Sequence, residues 1–197
     1  VLGDRETATI VNNESSEIIR MLDHEFDAVG ATGPVFCPDR HLDEIDGVNA
    51  FVYRHVNNGV YKAGFATSQS AYEEAVVELF DALEQLEIRL GNGRYLLGDE
   101  LTEADWRLFT TLIRFDPVYV GHFKCNLRRL VDYPALWAYT RELYQHPGIA
   151  DTVNLHHIKH HYYGSHGTIN PTGIVPKGPL LDLGEPHELA ERADVHL

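Results

Sequence analysis

The chain has 197 residues, of which 44% are hydrophobic, so it can bury the core of one domain or of one domain and a fraction. Thirty acidic residues against 16 basic ones give a formal net charge of -14, which excludes a nucleic-acid partner because its backbone would be repelled. Two cysteines cannot form a disulfide framework, and no stretch approaches the ~20 apolar residues that cross a bilayer. We therefore expect a reducing, cytoplasmic location and no membrane partner.

The acidic excess has two interpretations. Only four of the basic residues are lysines, at positions 62, 124, 159 and 177. An ordinary acidic cytosolic protein can have this composition, and so can a surface adapted to high salt, in which carboxylates replace lysine. The sequence leaves both open.

Residues 1–26 are predicted to form a small β-hairpin followed by one helix. The segment VLGDRETATIV has two short strand-like runs around a turn at residues 3–6. Asn12 or Asn13 is expected to cap the helix, since both side chains accept hydrogen bonds from free backbone amides. The apolar residues of that helix are expected to face inward: Ile18, Ile19 and Leu22. An isolated hairpin is marginally stable, so we expect further strands upstream.

The remainder of the chain is predicted to be helical until a final tail. Residues 27–37 carry glycines and a proline without periodicity and are assigned as a linker. An all-helical domain is predicted over residues 38–163, and an extended tail over residues 164–197. The helices are expected from Leu42 to about Asn57, from about Ser70 to Leu90, from Thr102 to Phe115, from Pro134 to His146 and from about Ile149 to Tyr162.

The helix that follows Thr102 has the strongest start signal. Thr102 and Asp105 have the spacing of a capping box, and Leu101 and Trp106 stand where a hydrophobic staple would lie. Pro117 should end this helix, because the residue before a proline is pushed out of the helical region. A loop containing the next tyrosine, histidine, phenylalanine and lysine is expected to follow.

Two groups of polar residues lie where chemistry is plausible. Glu14 and Ser15 fall at the start of a helix, where free backbone amides form an anion site, although the pair also suits a plain helix cap. Tyr61, Tyr119 and Tyr162 lie at predicted helix ends rather than in periodic stripes. Converging phenols suit an aromatic diol, and the alternative is three buried tyrosines with satisfied hydroxyls.

The histidine-rich segment HHIKHH places histidine pairs four residues apart on two helical faces, at 156/160 and 157/161, with His166 close behind. Such a pair can ligate zinc or nickel. Because no third ligand has suitable spacing, we expect a polar helix face and no metal, with a metal-binding helical module as a remaining alternative.

Three segments carry a family resemblance: TEADWRLFTTLIRFDPVYVGHFKCN, NNGVYKAGFA and NESSEIIRML. Together they resemble the glutathionyl-hydroquinone reductases, the xi class of the glutathione transferase superfamily. The resemblance implies a mainly α chain, made of the glutathione transferase C-terminal helical domain preceded by the last β-hairpin and helix of a thioredoxin-like domain.

The resemblance also implies functional roles. Glu14 and Ser15 would bind the γ-glutamyl end of glutathione, or of γ-glutamylcysteine in a salt-adapted archaeal host, and Tyr61, Tyr119 and Tyr162 would line the hydroquinone pocket. The implied reaction is glutathione-dependent reduction of glutathionyl-hydroquinones by a homodimer. An omega-like thiol transferase acting on dehydroascorbate, and a non-catalytic assembly module, remain alternatives.

The nucleophilic cysteine of this family opens a helix in a Cys-Pro-Trp-Ala motif. Cys37 precedes Pro38, but no strand precedes it and no Trp-Ala pair follows, so we reject it as catalytic. Cys125 is expected to be structural. We therefore predict no catalytic residue in this chain and expect the nucleophile upstream.

Overall fold

The computed structural model of the chain describes residues 1–187 and consists of a two-stranded antiparallel sheet followed by helices. The two strands are β1 (Leu2–Asp4) and β2 (Thr9–Asn12). The α-helices of the described residues are α1 (Ser15–His24), α2 (Leu42–Val52), α3 (Gly59–Gly64), α4 (Gln69–Asn92), α5 (Glu103–Arg114), α6 (Pro134–Gln145) and α7 (Leu155–Ser165). None of these helices is long and apolar enough to span a membrane.

The predicted hairpin forms, but its turn lies at residues 5–8 rather than 3–6, and one carboxylate holds this turn. The Asp4 Oδ1 atom accepts the backbone N–H groups of Glu6 at 2.8 Å and Thr7 at 3.3 Å. Gly3 pairs with Ile10, and an irregularity in register follows Leu2. The aspartate therefore supplies the acceptors that this tight turn needs.

Helix α1 begins one residue later than a cap at Asn13 would place it, and two residues later than a cap at Asn12 would. Glu14 is the capping residue, and the Asn12 side chain instead accepts the Glu14 backbone N–H at 2.7 Å. The expected inward packing is wrong for Ile19 and Leu22, whose exposed fractions are 38% and 58%. Helix α1 meets the helical domain through its polar residues, so these two side chains lie on its other side.

Polar contacts join α1 to the helical domain. Arg20 Nε donates to Glu103 Oε2 at 2.8 Å, and Arg20 Nη2 lies 2.5 Å from Asp46 Oδ1. Asp23 accepts the backbone N–H groups of Phe36 at 3.0 Å and Cys37 at 2.9 Å. Because Glu103 is almost fully buried, its ion pair with Arg20 fixes α1 against the start of α5.

Between α2 and α4 the sequence predicts only the end of one helix, and the structure has more. After α2 the chain makes a π-helical turn, Tyr53–Asn57, closed by Asn58 N–H donating to Tyr53 O at 2.9 Å, and then forms α3. A buried stripe continues through the turn: Val52, Val56 and Val60. At Gly59 a Cβ would lie 3.4 Å from Leu79 Cδ1, so α3 packs closely against α4 here. The glycines that bracket α3 hid it from sequence reasoning.

Helix α5 begins with the predicted capping box. The Asp105 carboxylate accepts the Thr102 backbone N–H at 2.8 Å, and it also accepts the Leu96 N–H and the Tyr139 hydroxyl, both at 2.9 Å. Asp105 is fully buried, and this burial raises its pKa despite these donors. The cap therefore also ties α5 to α6 and to the preceding loop.

Two later boundaries also differ from expectation. After α5 ends at Arg114, the chain continues as a π-helical turn, Phe115–Tyr119, so Tyr119 lies in this turn and not in a loop. The final helix begins at Leu155 rather than near Ile149, because the Asn154 side chain caps it by accepting the His157 N–H at 2.9 Å. A short 3-10 turn precedes it.

One hydrophobic core runs through α2 to α7, and the first part of the tail packs over it. Lys159 Nζ donates to the carbonyl oxygens of Lys177 and Gly178, and Gln145 Nε2 donates to that of Leu183 at 2.7 Å. Leu183 is buried. The predicted tail extends beyond the described residues, over 188–197.

Candidate functional site

The three predicted tyrosines meet through their hydroxyl groups. Tyr162 Oη lies 2.6 Å from Tyr61 Oη and 3.0 Å from Tyr119 Oη. Tyr119 and Tyr162 are 2% and 7% exposed, whereas Tyr61 is 38% exposed. Residues from α3, the second π-helical turn and α7 therefore form one cluster, here named the tyrosine cluster, which opens to the surface at Tyr61.

Burial indicates which hydroxyl donates in each hydrogen bond of the cluster. Tyr162 is the hydrogen-bond partner of the Tyr119 hydroxyl among the described residues, so donation from Tyr119 to Tyr162 leaves no buried proton unpaired. Tyr162 can then donate to Tyr61, whose own proton remains available at the surface. The cluster is thus suited to present one polarised hydrogen-bond donor to a ligand.

Tyr61 and Tyr119 are donors rather than bases near neutral pH. Burial, together with the hydrogen bond to Tyr162, raises the pKa of Tyr61 to about 12. Burial raises the pKa of Tyr119 far above its ordinary range. Both hydroxyls keep their protons at pH 7, which is the form that stabilises negative charge on a bound oxygen or carbon.

Aromatic rings form the wall around these hydroxyls. Phe123 stacks on Tyr119 at a centroid distance of 5.4 Å and meets Tyr61 edge-on at 5.4 Å. Phe65, which is half exposed, stacks parallel to Tyr61 at 6.4 Å. Gly64 permits this packing, because a Cβ there would lie 2.3 Å from the Phe123 ring. Phe123 is fully buried, so Phe65 and Tyr61 are the rings of this wall that a planar ligand can contact.

A histidine pair beside the cluster was missed by sequence reasoning. His122 Nε2 lies 3.0 Å from His166 Nδ1, and the His166 ring lies 5.1 Å from Phe65 and 5.8 Å from Phe123. Burial lowers the pKa of both histidines. The pair joins the end of α7 to the segment after Tyr119. These histidines are 44 residues apart in the sequence, and no local pattern predicts their contact.

Glu14 and Ser15 lie on α1, and no hydrogen bond among the described residues joins them to the tyrosine cluster. The Glu14 carboxylate caps α1, accepting from the Ser16 N–H at 3.5 Å and its hydroxyl at 3.1 Å. Both Glu14 and Ser15 are exposed. An exposed carboxylate and hydroxyl at a helix start can bind an ammonium and a carboxylate respectively.

Neither cysteine has the environment of a nucleophile. Cys37 is buried, and burial with the nearby Glu103 raises its pKa to about 11. Burial likewise raises the pKa of Cys125 to about 12. Since the thiolate is the reactive form, both thiols are poor nucleophiles at neutral pH.

The histidines of α7 stack rather than converge. The rings of His156 and His160 are 3.8 Å apart, and His160 Nδ1 lies 2.8 Å from the His156 carbonyl oxygen. Across the described part of the chain, no group of three or more His, Cys, Asp or Glu residues is placed to hold a metal ion.

Known proteins are similar to this chain in sequence and in fold. The family model for the glutathione S-transferase C-terminal domain matches residues 69–142. Glutathionyl-hydroquinone reductase YqjG of Escherichia coli K12 is 58% identical over 187 residues, which cover 95% of this chain and 57% of that protein. Its glutathione-bound structure has a TM-score of 0.95 at 57% identity, covering 98% of this chain and 62% of that one. The xi-class glutathione transferase of Natrialba magadii has a TM-score of 0.93 at 49% identity, covering 96% and 58%.

The chain is homologous to the xi-class glutathione transferases. This homology confirms the predicted family resemblance and the mainly α fold class, with a β-hairpin before a glutathione transferase C-terminal domain. The chain spans less than two thirds of the length of each of these relatives.

Proposed function

We propose that this chain supplies the hydroquinone pocket and part of the glutathione site of a glutathionyl-hydroquinone reductase. The observation that carries the proposal is the tyrosine cluster, in which Tyr162 joins Tyr61 and Tyr119 at 2.6 Å and 3.0 Å. A cluster with protonated hydroxyls and aromatic walls suits a ring that carries hydroxyl groups.

Each tyrosine has a separate part in this proposal. Tyr61, at the surface, donates to a hydroxyl of the hydroquinone, while the buried Tyr119 and Tyr162 polarise it from behind. Phe65 faces the ring of the substrate, and the buried Phe123 supports Tyr61 and Phe65 from behind. Glu14 and Ser15 hold the ammonium and carboxylate of the γ-glutamyl group, either of glutathione or of γ-glutamylcysteine.

The proposed reaction is a thiol exchange. A cysteine thiolate attacks the sulfur of the glutathionyl-hydroquinone, the bond between that sulfur and the ring carbon breaks, and the ring carbon takes a proton as the hydroquinone leaves. A second glutathione then attacks the resulting mixed disulfide and releases glutathione disulfide. Because both cysteines of this chain are buried with raised pKa values, we assign the nucleophile to a segment outside these 197 residues. On this proposal the 197 residues alone are inactive.

We further propose that the active protein is a homodimer in a reducing compartment. Two buried cysteines that remain unpaired agree with such a compartment. The tail that packs over α6 and α7 would contribute to the interface. Analytical ultracentrifugation of the full-length protein tests this, and a monomer at micromolar concentration would contradict it.

The experiment that tests the proposed activity is turnover by the full-length protein that contains this chain. We expect a glutathionyl-hydroquinone to be reduced much faster than dehydroascorbate, and Tyr61→Phe to lower kcat/KM for the conjugate by about tenfold. Faster reduction of dehydroascorbate would favour an omega-like transferase. An absence of any glutathione-dependent activity would favour an assembly module.

A further inference from the structure

Helix α1 carries the proposed glutathione anchor at its start, and from its middle an arginine reaches the helical domain. Glu14 caps the helix and Ser15 is its first residue, whereas Arg20 lies five residues further on. At 1.5 Å of rise per residue, Arg20 is about 7.5 Å along the helix axis from Ser15. Any rotation or shift of α1 at Arg20 therefore moves both residues of the anchor.

Arg20 binds two different helices with its planar guanidinium. Its Nε atom donates to Glu103 Oε2 at 2.8 Å, at the start of α5, and its Nη2 atom lies 2.5 Å from Asp46 Oδ1 on α2. Two charge-assisted bonds from one rigid fork fix direction as well as distance. Asp23, three residues after Arg20, accepts two backbone N–H groups of the linker, so α1 is held at two points on the same face.

The Glu103 carboxylate that receives Arg20 is itself held in place. The residue is 5% exposed, and its Oε1 atom accepts from Asn49 Nδ2 at 2.9 Å and from Arg107 Nη1 at 3.1 Å. Its backbone N–H donates to the Phe36 carbonyl oxygen at 2.7 Å. A buried carboxylate with several donors is rigid, so it gives α1 a fixed reference point in the helical domain.

The same helix leads from Glu103 to the tyrosine cluster. Helix α5 runs from Glu103 to Arg114, about 18 Å at 1.5 Å per residue, and passes directly into the π-helical turn that contains Tyr119. A glutathione conjugate of a hydroquinone would occupy the anchor and the cluster at once. It therefore needs the two regions at a fixed separation, and α5 joins them.

We infer that Arg20 is a positioning residue, which through Glu103 sets the place of Glu14 and Ser15 relative to the tyrosine cluster. The inference rests on the proposed function, because it requires that the start of α1 binds the γ-glutamyl group. Without the Arg20 fork, α1 keeps its cap but loses its fixed direction. The expected loss is in substrate binding and not in chemistry, because Arg20 acts on binding groups alone.

Steady-state kinetics of the full-length protein with two substrates, at saturating glutathione, tests the inference. One substrate is a glutathionyl-hydroquinone, and the other is the matching conjugate of cysteinylglycine, which lacks the γ-glutamyl group. Arg20→Gln should raise KM for the glutathione conjugate by about tenfold and change kcat by less than about twofold, the pattern of a lost binding interaction. KM for the cysteinylglycine conjugate should change by less than about twofold, because this substrate has no group for Glu14 and Ser15 to hold.

Arg107→Gln is the matched control, because Arg107 donates to the same carboxylate but lies on α5 together with Glu103. The two arginine side chains are similarly exposed, at 24% for Arg107 and 31% for Arg20. Arg107→Gln should leave KM for the glutathione conjugate within about twofold. Arg20→Lys keeps the charge but not the planar fork, so its KM should lie between those of the unsubstituted protein and Arg20→Gln.

Ser15→Ala separates the inference from the proposed function on which it rests. If Ser15→Ala raises KM for the glutathione conjugate and Arg20→Gln does not, the inference fails and the proposed function stands. If Ser15→Ala leaves this KM unchanged, the glutathione anchor is wrong, and the inference fails with it. Equal rises in KM for the two conjugates, or equal rises in Arg20→Gln and Arg107→Gln, would overturn the positioning role alone.

Discussion

Tyr162 holds the tyrosine cluster together, since its hydroxyl is bonded to both of the others at 2.6 Å and 3.0 Å. Removing the Tyr162 hydroxyl would leave the Tyr119 hydroxyl without a hydrogen-bond partner, and Tyr119 is only 2% exposed. A buried polar group without a partner costs about 1–3 kcal/mol, more than the net contribution of an ordinary hydrogen bond. The stability of the cluster therefore depends on its central member.

Tyr162→Phe should lower the free energy of unfolding by about 1–3 kcal/mol, because the ring still fits but Tyr119 loses its acceptor. Urea unfolding followed by circular dichroism measures this. Tyr53→Phe is the control, since Tyr53 is 54% exposed, and it should change stability by less than about 0.5 kcal/mol. Equal effects of the two variants would contradict the hydrogen bonds assigned to Tyr162.

His122 and His166 should make the fold sensitive to mild acid. Burial lowers the pKa of both, so below pH 6.5, their ordinary pKa, the unfolded chain binds more protons than the folded chain does. Their contribution is full above pH 6.5 and is lost as the pH falls toward their folded pKa values. Repulsion by Lys124 and His161 acts in the same direction.

His166→Asn should therefore reduce the dependence of Tm on pH between pH 7 and pH 5, as measured by thermal denaturation. His157→Asn provides the comparison, because His157 is exposed on α7, the helix that His166 caps, and its ring has no hydrogen-bond partner among the described residues. The assignment is wrong if His157→Asn reduces the pH dependence as much as His166→Asn.

Among the helices, α3 depends on a close contact between the backbone of Gly64 and the ring of Phe123. At Gly64 a Cβ would lie 2.3 Å from Phe123, whereas at Gly47 on α2 the same atom would meet nothing within 4 Å. Both glycines are helical, so alanine favours the helix at both. Gly64 is buried at the end of α3 and Gly47 is exposed within α2, and the contact with Phe123 exists only at Gly64.

Gly64→Ala should destabilise the protein by about 1–3 kcal/mol and displace Phe123 from Tyr119, because the ring must move. Gly47→Ala should be stabilising by about 0.5–1 kcal/mol. Chemical denaturation of both variants tests the pair. If Gly64→Ala were as stable as Gly47→Ala, the close packing of α3 on Phe123 would be contradicted.

Local signals predicted most elements, and long-range contacts account for the rest. Thr102 and Asp105 lie three residues apart, so their capping box could be read from the sequence and is present. The predicted helix end near Asn57 missed α3, which forms because Val60 and Ala63 are buried. Tyr61 and Tyr162 are 101 residues apart, and only the family resemblance suggested their meeting.

At the scale of the whole molecule, the net charge of -14 sets the response to salt. Exposed ion pairs each contribute about 0–1 kcal/mol, so screening of the excess negative charge should outweigh their loss. We expect Tm to rise as KCl increases from 0.01 to 0.5 M. A Tm that falls over this range would contradict net repulsion.

The same titration separates the two interpretations of the acidic surface. Since the Debye length is already about 3 Å at 1 M salt, simple screening should be complete near that concentration. A further rise in Tm between 1 and 3 M KCl would support a surface adapted to high salt. A plateau would support an ordinary acidic protein.

The proposed function requires the tyrosine cluster to bind a hydroquinone ring, and calorimetry of the full-length protein measures this binding directly. Tyr61→Phe should weaken binding of a glutathionyl-hydroquinone by about fivefold, the value of one hydrogen bond. It should leave binding of S-phenylglutathione, which has no ring hydroxyl, unchanged. Equal effects on the two ligands, or no effect on either, would contradict the assignment of Tyr61 as the donor to the substrate hydroxyl.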